Sequence, residues 1–234
     1  MEIRVYKDKH EVAREFSEFL AERIASHKNY SVALSGGSTP KIVFDYLAQH
    51  YTDIPWRNVH FYWGDERCVS PSDDESNYKM TLDHLLSKIS IPKENIHRVL
   101  GENDPEGEAK RYGQLLVEKL KTANGIPQFD LVILGMGSDG HTASIFPHEI
   151  ELWDSEKNCV VAIHPDSGQR RVSLTGRVIN NAKEVAFLVT GADKKEKVTY
   201  ILAKDGASKN YPASLVDPKS GKLYWFMDEA AKGA

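Results

Sequence analysis

The chain has 234 residues, 41% of them apolar and 27% charged, which suits one sizeable core rather than several. Lys and Arg number 30 against 34 Asp and Glu, a formal net charge of −4 with the signs well mixed, so no basic stripe offers itself to a nucleic acid. Two cysteines, Cys68 and Cys159, are too few for a disulfide framework or a thiolate metal site, and no apolar run nears the roughly 18 residues of a membrane span.

The first stretch, MEIRVYKDKHEV, is charged from its second residue and lacks the apolar centre of a secretory leader, so a cytoplasmic protein is expected. Residues 11–27 carry Val12, Phe16, Phe19, Leu20 and Ile24 at helical spacing, which predicts an amphipathic helix. YSVALS (30–35) is a β-prone run ending at Gly36-Gly37. Thr39-Pro40 then reads as an N-cap followed by proline at the first helical position, opening a helix over 40–50. NVHFYWG (58–64) predicts the next strand, and residues 76–88 and 105–122 predict helices, the second begun by Asp104-Pro105. FDLVILG (129–135) is nearly all apolar, as a central parallel strand buried on both faces must be. CVVAI (159–163), RRVSLT (170–175), EVAFLVT (184–190) and LYWFMD (223–228) complete the strand candidates, with a helix over 193–204.

Strands alternating with helices predict an α/β fold over residues 1–234 as a single domain: a Rossmann-like, mostly parallel sheet with helices on both faces. Ligands of such sheets sit beyond the carboxyl ends of the strands. The three most unusual segments each follow a strand: SGGSTP (35–40), GDER (64–67) and GMGSDGHTASIFP (135–147).

In the first, Gly36 and Gly37 permit a sharp turn, Ser38 adds a hydroxyl, and the following helix points free N–H groups and its positive dipole end at the same spot. That is a phosphate site in outline, though an ordinary strand-to-helix turn uses the same residues. GMGSDG formally matches the GxGxxG of dinucleotide folds. Pro147 leaves no room for the long helix such a site needs, and Asp166 is a distant candidate for the ribose, so a nicotinamide site ranks last. The same segment places Asp139 two residues before His141 in a glycine-flanked turn. An imidazole titrates near neutral pH and can take a proton from water, and a carboxylate beside it can fix its tautomer. In GDER, Asp65 or Glu66 is the candidate acid facing a pocket, with Arg67 as an anion contact. Arg171 opens a strand and Lys194 starts a helix after Gly191; either is placed to meet a phosphate, with Arg170 and Lys195 as neighbours of the same charge.

Taken in order, these segments resemble the family that joins 6-phosphogluconolactonases with glucosamine-6-phosphate deaminases. The resemblance rests on SGGSTP, GDERCV (64–69) with SNY (76–78), GMGSDGHTASIFP, RVSLT (171–175) with VIN (178–180), and TGADK (190–194). It implies a phosphorylated six-carbon sugar as substrate and no metal or nucleotide cofactor, while composition gives no reason to expect a nucleic-acid or membrane partner. It also implies that His141 is the general base with Asp139 beside it. Gly36, Gly37, Ser38, Arg171 and Lys194 then lie at the phosphate end; Asp65 and Arg67 join the candidate site on the reading of GDER given above. The deaminases resemble GDGHIAFNEP in the third motif, with a catalytic glutamate where this chain has Phe146, and DEY where it has DER. Both positions point to the lactonase branch and to hydrolysis of 6-phosphoglucono-1,5-lactone. The alternatives are the deaminase reaction and a non-catalytic sugar-phosphate sensor. A monomer or small homo-oligomer is expected.

Overall fold

The computed structural model describes residues 1–204, 206–219 and 221–233. In chain order its strands are β1 (Glu2–Tyr6), β2 (Tyr30–Leu34), β3 (Val59–Trp63), β4 (Asp65–Arg67), β5 (Ile96–His97), β6 (Thr122–Ala123), β7 (Ile126–Pro127), β8 (Leu131–Leu134), β9 (Cys159–Ile163), β10 (Arg170–Leu174), β11 (Glu184–Val189) and β12 (Lys222–Asp228). Its helices are α1 (Lys9–Ser26), α2 (Ser38–His50), α3 (Asn77–Thr81), α4 (Pro105–Lys119), α5 (Gly176–Ile179), α6 (Lys195–Ala203) and α7 (Glu229–Lys232).

Seven strands form one sheet in the order β1, β12, β11, β8, β2, β3, β5, and every neighbouring pair is parallel. β2 and β8 are buried along their whole length, as apolar runs covered on both faces require. The covering layers follow from the alternation of β12. Tyr224 and Phe226 meet Phe19 and Phe16 of α1, with ring centroids 4.9 and 5.1 Å apart. Trp225, between them, faces the other side, stacks on Phe187 at 4.1 Å and shares a cavity wall with Ile201 and Leu202 of α6. α1 forms where its apolar stripe dictates, and Asp8 caps it by accepting from the His10 and Glu11 amides at 2.9 and 3.0 Å. Asp104 caps α4 in the same way through the Gly107 amide at 2.8 Å. No described helix is long and apolar enough to cross a membrane.

The chain runs from β2 outward through β3 to β5, then returns to lay β8 on the other side of β2 and continues through β11 to β12. The strand order therefore reverses between β2 and β8. A crevice opens there at the carboxyl ends, because the loops leaving the two strands turn away to opposite sides.

Four features go beyond or depart from the sequence expectations. The runs at 159–163 and 170–175 are strands but lie outside the parallel sheet; β9 and β10 pair antiparallel with β4 in a separate three-stranded sheet. Periodicity reports that a segment is extended, not which edge it joins. β1 was not anticipated: Ile3 and Val5 are exposed and alternate with Glu2 and Arg4, the makeup of an edge strand. The helix over 76–88 breaks after Thr81 into one wide turn, with the Ser87 amide bonded to Leu82 O at 3.0 Å. Finally, α2 starts at Ser38 with Gly37 as its cap, and the Thr39 hydroxyl bonds instead to the Thr190 hydroxyl at 2.7 Å.

Candidate active site

The crevice between β2 and β8 holds a small polar cleft of about 200 Å³. The loop after β2 forms one wall. Gly37 sits at φ 106°, a backbone conformation that favours glycine, and it caps α2 without a side-chain hydrogen bond. The first helical bond runs from the Lys41 amide to Gly37 O at 3.2 Å, which leaves the Ser38 and Thr39 amides free of helical partners. The positive end of α2 is thus presented to the cleft. Gly36 is required for another reason: a Cβ there would lie 1.9 Å from Oδ1 of Asn77, whose Nδ2 donates to Asp65 O at 3.0 Å.

The loop after β8 forms the opposite wall and is built differently. No helix follows it until the 3₁₀ turns that begin at Pro147, so the GxGxxG match lacks the helix a dinucleotide needs. The loop folds on itself instead. The Gly137 amide bonds to His141 O at 2.9 Å, the Gly140 amide to Gly137 O at 3.0 Å, and the Thr142 hydroxyl to Gly135 O at 2.8 Å. This curl brings His141 Nδ1 to 2.7 Å from Asp139 Oδ1, while the His141 amide donates to the same oxygen at 3.1 Å. Burial acts to raise the Asp139 pKa, but the hydrogen bonds and charge of His141 outweigh it and hold the carboxyl below its usual range. An ionised Asp139 accepts a proton-bearing Nδ1, which leaves the lone pair on Nε2. The pair lies directly over Gly137, where a Cβ would come within 2.2 Å of His141 Nδ1 and 2.4 Å of Asp139 Oδ1. Phe146, fully buried, backs the imidazole at a ring distance of 4.7 Å.

β4 and β10 supply the remaining charges. Asp65 lines the cleft, buried, and accepts from the Ser144 hydroxyl at 2.6 Å. Glu66 does not line it. That carboxylate turns back to accept from the Arg67, Asn77 and Tyr78 amides at 2.7, 2.8 and 2.8 Å and from the Ser76 hydroxyl at 3.0 Å, fastening the start of α3. Burial still pushes the Glu66 carboxyl above its usual range, against the pull of those three amides. Arg67 and Arg171 are register partners across β4 and β10, and both line the cleft. Arg67 donates to Glu75 O, but its Nε is buried with no partner among the described residues; Arg171 donates to Gln169 at 3.1 Å. Burial and then the neighbouring Arg67 lower the Arg171 pKa. Two guanidinium groups placed side by side repel, an arrangement that a bound anion relieves.

Gly36, Gly37, Ser38, Asp65, Arg67, His141, Arg171 and Lys194 all border this one cleft. Asp139 is set behind the imidazole. Arg170 instead pairs with Glu106 at 3.0 Å, and Lys195 packs against Gly233, so neither is among the lining residues. Asn77, Thr190 and Met136 also border the cleft, and sequence reasoning assigned them no part. Asn77 stood inside the SNY run, but an uncharged amide carries no signal until Asp65 is seen beside it. Among the described residues, no group of three or more His, Cys, Asp or Glu is placed to hold a metal.

Residues 7–225 match the family described as glucosamine-6-phosphate isomerases/6-phosphogluconolactonase. A 6-phosphogluconolactonase of Haemophilus influenzae is 44% identical over 224 residues, covering 95% of this chain and 94% of its own. One from Treponema pallidum is 41% identical over 222 residues, covering 94% and 92%. The solved 6-phosphogluconolactonase of Trypanosoma brucei superposes with a TM-score of 0.88 at 30% identity, covering 98% of this chain and 97% of that one.

Proposed function

The chain belongs to the glucosamine-6-phosphate isomerase/6-phosphogluconolactonase family, and on that premise we propose that its cleft hydrolyses 6-phosphoglucono-1,5-lactone to 6-phosphogluconate, the hydrolytic step of the oxidative pentose phosphate pathway, with His141 as the general base. The observation that carries this reading is the Asp139–His141 pair, held at 2.7 Å on a cleft whose other borders are the α2 N-terminus, Arg171 and Lys194.

The phosphate occupies the cationic end, against the Ser38 and Thr39 amides, Arg171 and Lys194. These contacts are remote from the reacting bond and serve to position it. His141 Nε2 takes a proton from water as the water oxygen bonds to the lactone carbonyl carbon. Asp139 keeps the proton on Nδ1 and stabilises the imidazolium. The carbonyl electrons become an oxyanion, for which the Arg67 guanidinium on the cleft wall is a donor. When the oxyanion collapses, the bond from the carbonyl carbon to the ring oxygen breaks, and the imidazolium returns its proton to that oxygen. The balance closes with one water consumed, and neither a covalent nucleophile nor a cofactor enters. Ser144 is tied to Asp65 and buried, so the reading gives it no nucleophilic part.

The test is lactone hydrolysis above the spontaneous rate, measured beside ammonia release from glucosamine 6-phosphate. The wild-type chain is expected to show the first and not the second. His141→Asn is expected to lower kcat by roughly 10²- to 10⁴-fold while 6-phosphogluconate still binds. Near wild-type turnover in that variant removes His141 as the base. Ammonia release moves the chain to the deaminase branch, where Phe146 stands in place of the required carboxylate. Binding of 6-phosphogluconate without any hydrolysis makes it a sensor.

A further inference from the structure

The turn that carries Asp139 and His141 is held from behind by a segment distant in sequence. Gly140, at φ 86°, packs so closely on Tyr211 that a Cβ there would lie 2.8 Å from both Cβ and Cγ of the tyrosine. Two residues further on, the Ala213 amide donates to Gly140 O at 3.1 Å. The segment is itself tied down: the Tyr211 amide and the Ser214 hydroxyl both donate to Ser208 O, at 2.9 and 2.6 Å. On its other side, the Tyr211 ring lies 4.8 Å from Lys197 Nζ. Lys197 is on α6, which begins immediately after the Ala192–Lys194 turn that brings Lys194 to the cleft. A continuous line of packed groups thus runs from the cationic end of the cleft, along α6, through Lys197 and Tyr211, to the peptide between Asp139 and His141.

Resting on the reading of His141 as base, we propose that Tyr211 is a positioning residue that braces the Asp139–His141 turn against α6. The geometry makes this specific. The Gly140 peptide has only backbone atoms to locate it, and glycine at positive φ supplies no side chain to lock its own conformation. The tyrosine ring fills the place that a side chain would otherwise occupy. One side of the ring meets the turn and the lysine lies over its face, so the tyrosine is held between α6 and the peptide that aims His141.

The experiment compares Tyr211→Ala, Tyr211→Phe and Lys197→Met in the full-length enzyme, reading kcat, KM and 6-phosphogluconate affinity. Tyr211→Ala is expected to lower kcat by roughly 10- to 100-fold, the size of a small misplacement of a catalytic group, with KM within about two-fold. Tyr211→Phe keeps the ring and is expected to restore most of the loss. Lys197→Met, which leaves the Gly140 contact in place, is expected to lower kcat about two- to five-fold, the size of a partly exposed cation–π contact. It carries the test where the alanine variant yields no folded protein. Wild-type kcat in both Tyr211→Ala and Lys197→Met overturns the proposal. So does equal loss in the alanine and phenylalanine variants, or loss of kcat and ligand affinity together. His141→Asn assayed in parallel separates the two readings. If it stays active, the base assignment fails whatever Tyr211 does; if it is inactive while Tyr211→Ala is unimpaired, only the brace fails.

Discussion

The loop after β2 and the loop after β8 both leave a buried parallel strand, both carry glycines and both border the same cleft, yet only the first runs into a helix. In the first, the glycines clear the way for backbone: Gly37 bends the chain so that the N–H groups of α2 point inward, and the groups proposed to bind the anion belong to the main chain. In the second, glycine clears the way for side chains: Gly137 leaves the space in which the Asp139–His141 pair sits, and the groups proposed to act are an imidazole and a carboxylate. A helix terminus is a fixed electrostatic feature suited to holding charge. A curled loop can present a titratable group from an unusual angle, which suits moving a proton. On the function proposed above, the same residue type at the same edge of one sheet serves binding on one side of the β2–β8 seam and chemistry on the other.

That division is sharpest at Gly137. Gly137→Ala places a methyl group within 2.2 Å of His141 Nδ1, so the pair must separate. kcat is expected to fall on the order of 100-fold while 6-phosphogluconate affinity, measured by calorimetry, changes little. A variant that instead loses affinity with kcat intact would break the comparison. The complementary change is on the cationic side. Arg171→Ala or Lys194→Ala is expected to raise KM about 10-fold or more, the worth of a charge-assisted hydrogen bond, with kcat within a few-fold. An unchanged KM in both rejects the phosphate assignment of these two cations.

The smallest effect is expected away from both loops, at the β3–β5 edge, where His60 and His97 meet at 3.2 Å. Burial and then Lys119 lower the His60 pKa; burial, then His60 and Lys119, lower that of His97 to about 4. Both folded-state values lie below the roughly 6.5 of an unfolded chain. The native state therefore binds fewer protons than the unfolded one in this window. Its stability is complete above about pH 6.5 and declines as pH falls toward 4, by on the order of 1–3 kcal/mol. Urea unfolding across that range reads the slope, and His97→Asn is expected to flatten it. A variant as pH-sensitive as the wild type would clear this edge of responsibility.

Much of this architecture was legible in the sequence because it depends on local pattern. The apolar stripe of α1, the unbroken apolar run of β8 and the proline-led start of α4 each report burial that any fold must satisfy. Glycine after a strand marked both loops. What stayed hidden was pairing at long range. RRVSLT reads as a strand whichever sheet it joins, and its place opposite DER is set by the loops around it, so the Arg67–Arg171 juxtaposition had no sequence signature. The choice between Asp65 and Glu66 was likewise closed to inspection, because alternation puts them on opposite faces without saying which face meets the cleft. The amides at the start of α3 decide it by engaging Glu66. Tyr211 was invisible for the same reason: its partner is a glycine 71 positions earlier, and glycine has no side chain with which to advertise a contact.

The reversal of strand order between β2 and β8 also governs when the site can come into being. Val32 pairs with Leu131, so the seam joins segments separated by almost half the chain. A contact of that span is closed late, after the loop entropy of everything between has been overcome. As the polypeptide leaves the ribosome, β2, β3 and α2 can assemble with one wall of the crevice in place, but that wall faces nothing until β8 arrives. Recovery of turnover is therefore a report on completed long-range assembly, whereas helix content alone reports only its beginnings.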